Sequence, residues 1–404
     1  MIILGIQETD WLTRGPHTQH HVFERLSLNP KIKITVFDYD IDKIMQSASR
    51  FIQKKVYQSS NKAINGSQVT IIRTAHLQIP YLRRISSIIT NFFGMLKLIR
   101  STRPDLIIGL SLSNGIIGLF LSKMFRIPYI FYYIDLLHTL VPLGYAQNLA
   151  KVISRYLFRR SDRIIAVTKY LKDYIIQEGA QEDQVKILLN GISLENTIVD
   201  QNKVSKLKEK YNISNNDFVL FFMGYLYDFA GLQEIIDYYH HDIVKGKFSL
   251  KFVIVGDGGI YPHLAAHVKK IGADWVILTG RIPFFDITEY IELADLCLMS
   301  FQLNNVTRQI TPVKVMEYMA MKKPVLSNKL PSVFSEIGKD NGVIFAKNQK
   351  ALIKKIGVLY AKKDELPEVG KKGFELIKKK YVWAKILNNL KHIMLETIRE
   401  KRSK

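Results

Sequence analysis

The chain of 404 residues is predicted to fold as two α/β domains, each built around a parallel sheet. Short apolar runs rich in β-branched and aromatic residues alternate with amphipathic helical patterns, as they do in βαβ units. This alternation begins at the first residue, stops after about residue 200, and then starts again. Each half is long enough to bury a core of its own.

In the first half, strands are predicted where short apolar runs lie between polar turns. These runs are Met1–Ile6, Lys33–Phe37, Val69–Ile72, Leu106–Ile108, Tyr129–Tyr132, Arg163–Ala166 and Val185–Leu188. The first helix is expected to open at Pro16, because proline is favoured in the first helical turn. Two further helices cover Leu82–Arg100 and Tyr170–Gln177. The uncharged stretch from Leu106 to Ser122 contains glycine, serine and asparagine, so we expect a strand, a turn and a helix there rather than a membrane span.

The second half shows the same alternation of strand and helix patterns. Its predicted strands are Val219–Phe222, Phe252–Val255, Trp275–Leu278, Leu296–Met299 and Pro324–Leu326. Its predicted helices lie near Gly231–Tyr239, Tyr261–Ile271, Ile287–Leu293 and Pro312–Met321. The polar segment Glu195–Lys210 is interpreted as a linker, and Lys378–Lys404 as one long basic amphipathic helix.

The expected domains are therefore residues 1–197 and 198–380, followed by a basic C-terminal helix over residues 381–404. Two such sheets that face each other bring the carboxyl ends of their strands to a shared cleft. Open α/β sheets bind their ligands at these ends. The arrangement suits an enzyme with one domain for each of two substrates.

Composition is that of a globular protein, but the charge is unusual. Hydrophobic residues make up 47% and charged residues 23% of the chain, and the formal net charge is +22. No acidic residue occurs between Asp42 and Asp105, where the charged side chains are Lys43, Arg50, Lys54, Lys55, Lys62, Arg73, Arg83, Arg84, Lys97, Arg100 and Arg103. Such a field points to a polyanionic partner, either nucleic acid or an anionic membrane surface. The chain lacks a recognisable helix-turn-helix, RNP or zinc pattern, which favours the membrane surface.

The compartment is predicted from two further features. The single cysteine, Cys297, cannot form an internal disulfide, so a cytosolic setting is expected. The segment Met1–Ile6 is short, lacks a basic region and runs directly into polar residues. We therefore expect no secretory signal.

The segment Gln309–Val325 carries the strongest functional signal. Thr311 is a good N-cap and Pro312 fits the first helical position, so a helix is expected to begin here with free N–H groups that can bind a diphosphate. Lys314 lies in the first turn, where the helix dipole disfavours a cation unless an anion binds beside it. Glu317 lies one turn further on the same side and can accept hydrogen bonds from both hydroxyls of a ribose. The alternative is a surface Lys–Glu pair.

The pattern P-x-K-x-x-E-Y-M-A-x-x-x-P-V in this segment resembles the donor helix of glycosyltransferase family four. Other family-like segments follow one another in the expected order. They are Val185–Ser193, Phe222–Leu232, Val253–Gly259, Leu278–Pro283 and Ala294-Asp295. The resemblance implies the GT-B fold, in which two Rossmann-like domains face a cleft, with a nucleotide-diphosphate sugar as donor. It also implies retention of configuration and no metal, with Glu317 on the donor ribose. We expect Lys314 and the start of the helix to stabilise the departing diphosphate, and we expect no cofactor.

The turn after the first strand of the second domain departs from the family pattern. The family often carries an arginine and a lysine there to hold the diphosphate, but this turn begins at Gly224 and has Tyr225 and Ala230 at those places. Gln309 replaces the first glutamate of the family's E-x7-E motif, although its amide can still hydrogen-bond sugar hydroxyls. The glycines from Gly256 to Gly259 do not fit the dinucleotide fingerprint, so a nicotinamide cofactor is not expected.

Two arginines are candidates to replace the missing cations. Arg308 precedes the donor helix, and Arg281 follows the strand that ends at Leu278-Thr279-Gly280. We favour Arg308 because it lies near the predicted helix start. The alternative is that Arg281 is structural and pairs with Asp286 or Asp295.

In the first half, Gly15 ends the loop after the first strand and is expected to let the chain approach a ligand closely, or merely to start the helix. His17, His20 and His21 follow it at i, i+3 and i+4. These histidines can in principle hold zinc, but no further spaced ligand is nearby, so we expect no metal. We assign Gly15, His17 and His20 to the acceptor side instead.

Asp135 and His138 follow the strand Tyr129–Tyr132 at its carboxyl end. At this spacing they can face the reacting sugar together, one of them as a base or hydrogen-bond partner. In related enzymes a polar residue or histidine in this region implies contact with the transferred sugar. The alternative is an N-capping aspartate and a packing histidine.

The segment Leu82–Arg103 is amphipathic, and all of its charges are positive. The apolar side is formed by Leu82, Ile85, Ile88, Ile89, Phe92, Leu96 and Ile99, and the other side by Arg83, Ser87, Thr90, Gly94 and Lys97. Either the apolar side is buried on the sheet as in a crossover helix, or it lies on a membrane surface.

We therefore predict a retaining, metal-independent glycosyltransferase of the hexosyltransferase type, acting in glycan biosynthesis. Its expected partners are a nucleotide sugar, a lipid-linked or glycan acceptor, and the anionic inner face of the cell membrane, with which it associates peripherally from the cytoplasm. Two alternatives stay open. A nucleotide-sugar epimerase can share the fold and donor site, and a basic nucleic-acid-binding protein belongs to another class.

Overall fold

The computed structural model describes residues 1–13, 15–39, 51–59, 61–79, 82–141, 144–310 and 313–403. It divides into two units, one formed by Met1–Asn190 with Ile386–Lys404 and the other by Gly191–Lys385. Both are α/β units around parallel sheets, so the predicted fold class is confirmed. The division falls a few residues before the predicted boundary at residue 197. The C-terminal helix, expected as a separate segment, groups largely with the first unit.

The described part of the first unit contains two sheets. Its strands are β1 (Ile2–Ile6), β2 (Lys33–Asp38), β3 (Phe51–Ile52), β4 (Lys55–Gln58), β5 (Val69–Arg73), β6 (His76–Leu77), β7 (Leu106–Gly109), β8 (Tyr129–Tyr133), β9 (Arg163–Ala166) and β10 (Val185–Ile187). The main sheet has the order β10-β9-β8-β7-β1-β2-β5-β4. Its neighbours are parallel except β4 and β5, and β3 pairs separately with β6. The strand order reverses between β1 and β7.

The helices of this unit cover the two faces of the main sheet. They are α1 (Thr18–Ser27), α2 (Leu82–Thr102), α3 (Ser113–Phe125), α4 (Gly144–Arg160) and α5 (Lys169–Gln177). Right-handed crossovers place α2, α3 and α4 on one face, because the chain moves along the sheet in the same direction at each step. In agreement, α2 packs beside α3 and α3 beside α4. The chain moves the opposite way from β1 to β2, so α1 covers the other face.

The second unit has one sheet among its described residues. Its strands are β11 (Phe218–Met223), β12 (Leu250–Val255), β13 (Val276–Gly280), β14 (Leu296–Met299), β15 (Val325–Asn328) and β16 (Val343–Ala346). They are all parallel, in the order β13-β12-β11-β14-β15-β16. The order reverses between β11 and β14, which makes the carboxyl ends of these two strands the expected ligand position.

The helices of the second unit lie before, between and after these strands. They are α6 (Gln201–Lys210), α7 (Leu232–Val244), α8 (Tyr261–Ile271), α9 (Ile287–Glu292), α10 (Val313–Ala320), α11 (Pro331–Ile337), α12 (Gln349–Ala361), α13 (Leu366–Lys380) and α14 (Trp383–Arg402), the last of which continues into the first unit. None of the helices in the described ranges is both long and apolar enough to cross a membrane.

Three sequence predictions differ from the structure. The supposed linker contains helix α6, which Asp200 caps by accepting hydrogen bonds from two backbone N–H groups. The C-terminal tail is two helices rather than one, because the chain breaks at the buried Tyr381, whose hydroxyl bonds Glu336. The first helix begins at Thr18, two residues after Pro16. Strands β3, β4, β6 and β16 were not predicted.

Candidate functional site

Three glycine turns meet at the carboxyl edge of the second sheet. Gly224 follows β11, Gly256 follows β12 and Gly280 ends β13, with φ angles of 129°, 131° and 70°. The backbone N–H of Gly256 donates to the oxygen of Gly280 at 2.8 Å. A Cβ on Gly256 would lie 2.0 Å from the oxygen of Gly224, so a side chain there would force the turns apart. The glycines therefore let bare backbone line the edge where a ligand is expected.

Helix α10 is fixed against the end of β11 by Tyr318, which is fully buried. The Tyr318 hydroxyl accepts a hydrogen bond from the backbone N–H of Met223 at 2.9 Å. Its ring meets Phe221 edge-on, with the centroids 5.7 Å apart. Because Lys314 lies one turn earlier on the same side of the helix, this anchoring places Lys314 at the mouth of β11.

The Lys314 ammonium is held by aromatic rings instead of a carboxylate. Its Nζ lies 4.6 Å from the ring centroid of Phe222 and 4.3 Å from that of Phe301. A Cβ on Gly224 would lie 2.6 Å from Nζ, so the ammonium rests directly over that glycine. Among the residues that the structure describes, no carboxylate pairs with it. Burial lowers the pKa of Lys314 to about 7, although nearby Glu317 opposes the shift. A cation in this state is suited to an anionic ligand.

Glu317 lies on the same side of α10, and its side chain is partly buried. Burial disfavours the carboxylate and raises the pKa of Glu317 to about 7, against the attraction of Lys314. These two described side chains form no ion pair with each other, which excludes the simple surface Lys–Glu pair. Both charged groups are therefore available to a ligand at the end of β11.

The turn before α10 carries Arg308 and Gln309 on a rigid support. Thr307 is buried, and its hydroxyl accepts a hydrogen bond from the backbone N–H of Asn304 at 2.8 Å. The Asn304 side chain in turn accepts from the backbone N–H of Thr307 at 2.9 Å. Arg308 projects into solvent from this turn, and Gln309 is partly buried. The predicted N-cap and first helical residue, Thr311 and Pro312, lie outside the described residues.

Arg281 is exposed just after Gly280. Its two predicted structural partners are occupied elsewhere. Asp286 forms an ion pair with Lys203 at 3.0 Å, and Asp295 accepts a hydrogen bond from the backbone N–H of Val219 at 2.7 Å. The structural alternative for Arg281 is therefore not observed in the described part of the chain, and Arg281 is available at the same sheet edge as Lys314.

The turn after β11 presents aromatic side chains that the sequence analysis did not single out. Tyr225 and Tyr227 are 51% and 43% exposed, with ring centroids 4.6 Å apart. Tyr227 stacks on Phe229 at 4.7 Å, and Phe229 meets Phe301 edge-on at 5.2 Å. This ladder connects the exposed turn to the ring beneath Lys314. The alternation Tyr-x-Tyr-x-Phe was its signal in the sequence.

In the first unit, His20 supports the loop that contains Gly15. His20 is fully buried, its Nδ1 accepts a hydrogen bond from the backbone N–H of His17 at 3.0 Å, and its Nε2 lies 3.0 Å from the oxygen of Trp11. Burial lowers the pKa of His20 to about 4, so the ring is neutral. A Cβ on Gly15 would lie 2.7 Å from the ring. His20 is thus placed to position the loop, not to contact an acceptor as expected, whereas His17 is exposed.

The structure does not join Asp135 and His138 as a pair. Asp135 is exposed and accepts a hydrogen bond from the backbone N–H of Leu136 at 2.8 Å. His138 is half-buried and stacks on Tyr174 of α5, with centroids 6.0 Å apart. Burial lowers the pKa of His138, and the charge of Lys151 adds to the effect. In the described ranges, no group of three or more histidine, cysteine or acidic side chains is arranged to hold a metal ion.

Two families match the chain. Residues 217–362 match the family described as Glycosyl transferases group 1, and residues 48–196 match Glycosyltransferase Family 4. Two proteins of Methanocaldococcus jannaschii, both described as uncharacterized glycosyltransferases, are similar in sequence. One is 23% identical over 252 residues, which are 60% of each chain, so the match spans less than two thirds of that relative. The other is 24% identical over 326 residues, 79% of this chain and 84% of the relative.

Solved structures of known proteins show the same fold. The structure of Anabaena HepE in complex with UDP has a TM-score of 0.70 and 15% identity, covering 98% of this chain and 100% of HepE. Sucrose-phosphate synthase from Thermosynechococcus elongatus has a TM-score of 0.72 and 15% identity, covering 99% and 100% of the two chains. The fold is that of the GT-B glycosyltransferases. With both of its units matched in sequence, the chain belongs to glycosyltransferase family four.

Proposed function

We propose that this glycosyltransferase takes its sugar from a nucleotide-diphosphate donor, needs no metal or cofactor, and transfers the sugar with retention to an acceptor at a membrane surface. The observation that carries the donor assignment is Lys314, a cation over the Gly224 turn that pairs with no carboxylate in the described ranges. It lies where the strand order reverses, the usual ligand position in such sheets. That HepE was solved with UDP supports a nucleoside diphosphate as the leaving group.

In the proposed reaction, the acceptor hydroxyl oxygen forms a bond to the anomeric carbon and gives its proton to Asp135 or His138 as base. The bond between the anomeric carbon and the diphosphate oxygen breaks, and the electron pair leaves as negative charge on the departing diphosphate. Lys314 and the first turn of α10 offset this charge, assisted by Arg308. Glu317 accepts hydrogen bonds from the ribose hydroxyls, and the Gln309 amide hydrogen-bonds the sugar. On the acceptor side we propose Gly15 and His17 for binding and Asp135 or His138 for contact with the transferred sugar.

The acceptor is proposed to be lipid-linked, or a glycan, at the cytoplasmic face of the cell membrane. The net charge of +22 and the acid-free stretch between Asp42 and Asp105 support an anionic surface as partner. Lys43 and Arg50 of this stretch lie outside the described residues.

The direct test is a product assay with a panel of nucleotide sugars and a membrane lipid extract. We expect nucleoside diphosphate to be released only when both the donor and the extract are present, with the sugar recovered in the lipid fraction. The matched control omits the extract. Release of an altered nucleotide sugar in that control would identify an epimerase and contradict the proposal.

The ribose assignment predicts a loss of donor affinity when Glu317 is shortened. Glu317→Ala should weaken binding of the nucleotide sugar by about 1.5–3 kcal/mol, the scale of hydrogen bonds to a charged group. Glu317→Gln should retain part of the affinity because its amide oxygen still accepts. Calorimetric titration of the folded variants measures the change, with the exposed Glu375→Ala on α13 as control. Unchanged affinity of Glu317→Ala would contradict the assignment.

The shifted pKa of Lys314 predicts proton uptake when a diphosphate binds. Without ligand the pKa is about 7, so at pH 8 most of the lysine is neutral. A diphosphate favours the ammonium and raises this pKa, so binding at pH 8 should take up close to one proton, and affinity should fall as pH rises above 7. Titrating UDP at pH 8 in two buffers of different ionisation enthalpy measures the uptake. The variant Lys314→Met should take up clearly less, because only Glu317, whose pKa is also about 7, is then left to bind a proton, and equal uptake by both proteins would contradict the prediction.

A further inference from the structure

Helix α2 turns its apolar side outward. Its buried positions are Arg83, Ser87, Asn91, Met95 and Ile99. Polar groups are tolerated there because they bond one another: the Asn91 amide donates to Asn114 at 3.1 Å and accepts from the Thr74 hydroxyl at 2.7 Å. The exposed side instead carries Ile85, Ile89 and Phe93, which are 56%, 51% and 61% exposed. Burial of the whole apolar side on the sheet, one of the two sequence alternatives, is therefore not observed.

The neighbouring helices extend this surface. On α3, Phe120 is 58% exposed, and on α4 Val152 and Tyr156 are 58% and 50% exposed. The ring of Phe120 lies 6.4 Å from that of Phe92 on α2, which joins the first two helices. We call the exposed set of Ile85, Ile89, Phe93, Phe120, Val152 and Tyr156 the apolar face. An exposed apolar surface that spans three adjacent helices usually marks an interaction site.

The charges on these helices are all positive. Helices α2, α3 and α4 contain no aspartate or glutamate. The last turn of each helix carries a cation, Arg100 on α2, Lys123 on α3, and Arg159 and Arg160 on α4, and Lys97 lies three residues before Arg100. The three crossover helices run in the same direction, so these ends lie along one edge of the apolar face. If these cations served only to offset the helix dipole, acidic residues would be expected in the first turns as well. The three helices have none there, so the dipole does not account for the charge pattern.

Apolar and cationic groups meet in an open depression at the end of α2. It has a volume of about 430 Å³ and is lined by Phe93, Leu96, Lys97, Arg100 and Ser101. In the described part of the chain, neither Lys97 nor Arg100 pairs with a carboxylate. The depression therefore offers an apolar wall beside two uncompensated cations, which suits an acyl chain joined to a phosphate.

We infer that the apolar face docks on a bilayer that contains anionic lipid. Ile89 and Phe93 insert at the boundary of the acyl chains, while Lys97 and Arg100 lie at the level of the phosphates. A second copy of the chain is a poorer occupant, because two acid-free faces would bring like charges together. The apolar face is then the surface through which the enzyme reaches a membrane acceptor, a role that rests on the proposed function.

The test is co-sedimentation of the full chain with vesicles of phosphatidylcholine alone, or of phosphatidylcholine mixed with phosphatidylglycerol, without donor or acceptor. We expect binding to rise with the anionic lipid and to fall with salt. Lys97→Glu with Arg100→Glu should weaken it by about 30-fold or more, since each cation contributes at an anionic surface. Ile89→Ser with Phe93→Ser should weaken it by about tenfold or more. These positions are exposed, so thermal melting should be unchanged.

Matched controls are placed on the second unit. Lys378→Glu with Lys379→Glu on α13 makes the same change of charge at exposed positions, and Tyr238→Ser with Val244→Ser on α7 removes exposed apolar groups. Both should bind vesicles within about twofold of the unaltered chain. Four outcomes would overturn the inference. They are equal losses of binding in the controls, equal binding to both vesicle types, no vesicle binding at all, and a dimer that Ile89→Ser with Phe93→Ser converts to a monomer. The product assay is scored separately, so failure of sugar transfer would not be mistaken for failure of docking.

Discussion

Replacing Lys314 with methionine should lower turnover by about 10²- to 10³-fold, the range found when one preorganised charge stabiliser is lost. The ammonium lies over Gly224 and, among the residues with described positions, pairs with no carboxylate, so its charge is available to an anionic ligand such as a diphosphate. Methionine keeps a flexible, polarisable side chain against the rings of Phe222 and Phe301, which should preserve packing. Single-turnover kinetics at saturating donor measure the chemical step.

Lys322 provides a matched control for this variant, because it lies just past the other end of α10. Its Nζ lies 5.0 Å from the ring centroid of Phe374, so Lys322→Met also removes a cation from an aromatic ring. Turnover should stay within about twofold of the unaltered enzyme, since this end of the helix is remote from the carboxyl edge of the sheet. Similar losses in both variants, or near-normal turnover of Lys314→Met, would contradict the role assigned to Lys314.

The helix that carries Lys314 and Glu317 was predictable because its signal is local. The spacing of Pro312, Lys314 and Glu317 in one short segment predicts a helix with its functional groups on one side. The support beneath Lys314 was not predictable in this way. Phe222 lies near the end of β11 and Phe301 lies just after β14, and only the order of the sheet brings their rings together.

Helix α2 is a second case in which contacts between elements could not be predicted from the local sequence. The hydrophobic period predicted the helix but not which side of it is buried. That choice depends on the hydrogen bond that Asn91 donates to Asn114 and the one that it accepts from Thr74, two residues outside this helix. His20 is a similar case, since its spacing from His17 suggested a ligand-binding pair. The fold instead uses both of its ring nitrogens within the loop.

The cation that replaces the family's pair at Tyr225 and Ala230 gives the second large prediction. Arg308→Ala should lower turnover by about 10²- to 10³-fold. The negative charge of a diphosphate is larger than Lys314 and one helix N-terminus together can offset, so a further cation is needed. Arginine suits this role because its planar fork can grip two phosphate oxygens together. Arg308→Lys should therefore recover only part of the loss.

The structure gives two arguments for Arg308 as this cation, and it leaves Arg281 as the alternative. Thr307 and Asn304 bond each other at 2.8 and 2.9 Å, so the turn beneath Arg308 is fixed while its guanidinium stays exposed and ready to close on a ligand. Arg281 is equally available, since Asp286 and Asp295 are bonded elsewhere. Arg308 lies within the turn that leads into α10, whereas Arg281 follows β13 at the outer edge of the sheet, two strands from β11.

Turnover measurements therefore decide between the two arginines. The variants to compare are Arg308→Ala, Arg281→Ala and, as a control at an exposed position on α12, Lys354→Ala. We expect a large loss for Arg308→Ala, a loss below about tenfold for Arg281→Ala, and none for the control. Reversed results would assign the diphosphate to Arg281. If neither arginine matters while Lys314→Met is inactive, the aromatic turn replaces the family's cations without any new charge, and Lys314 with the first turn of α10 stabilises the leaving group alone.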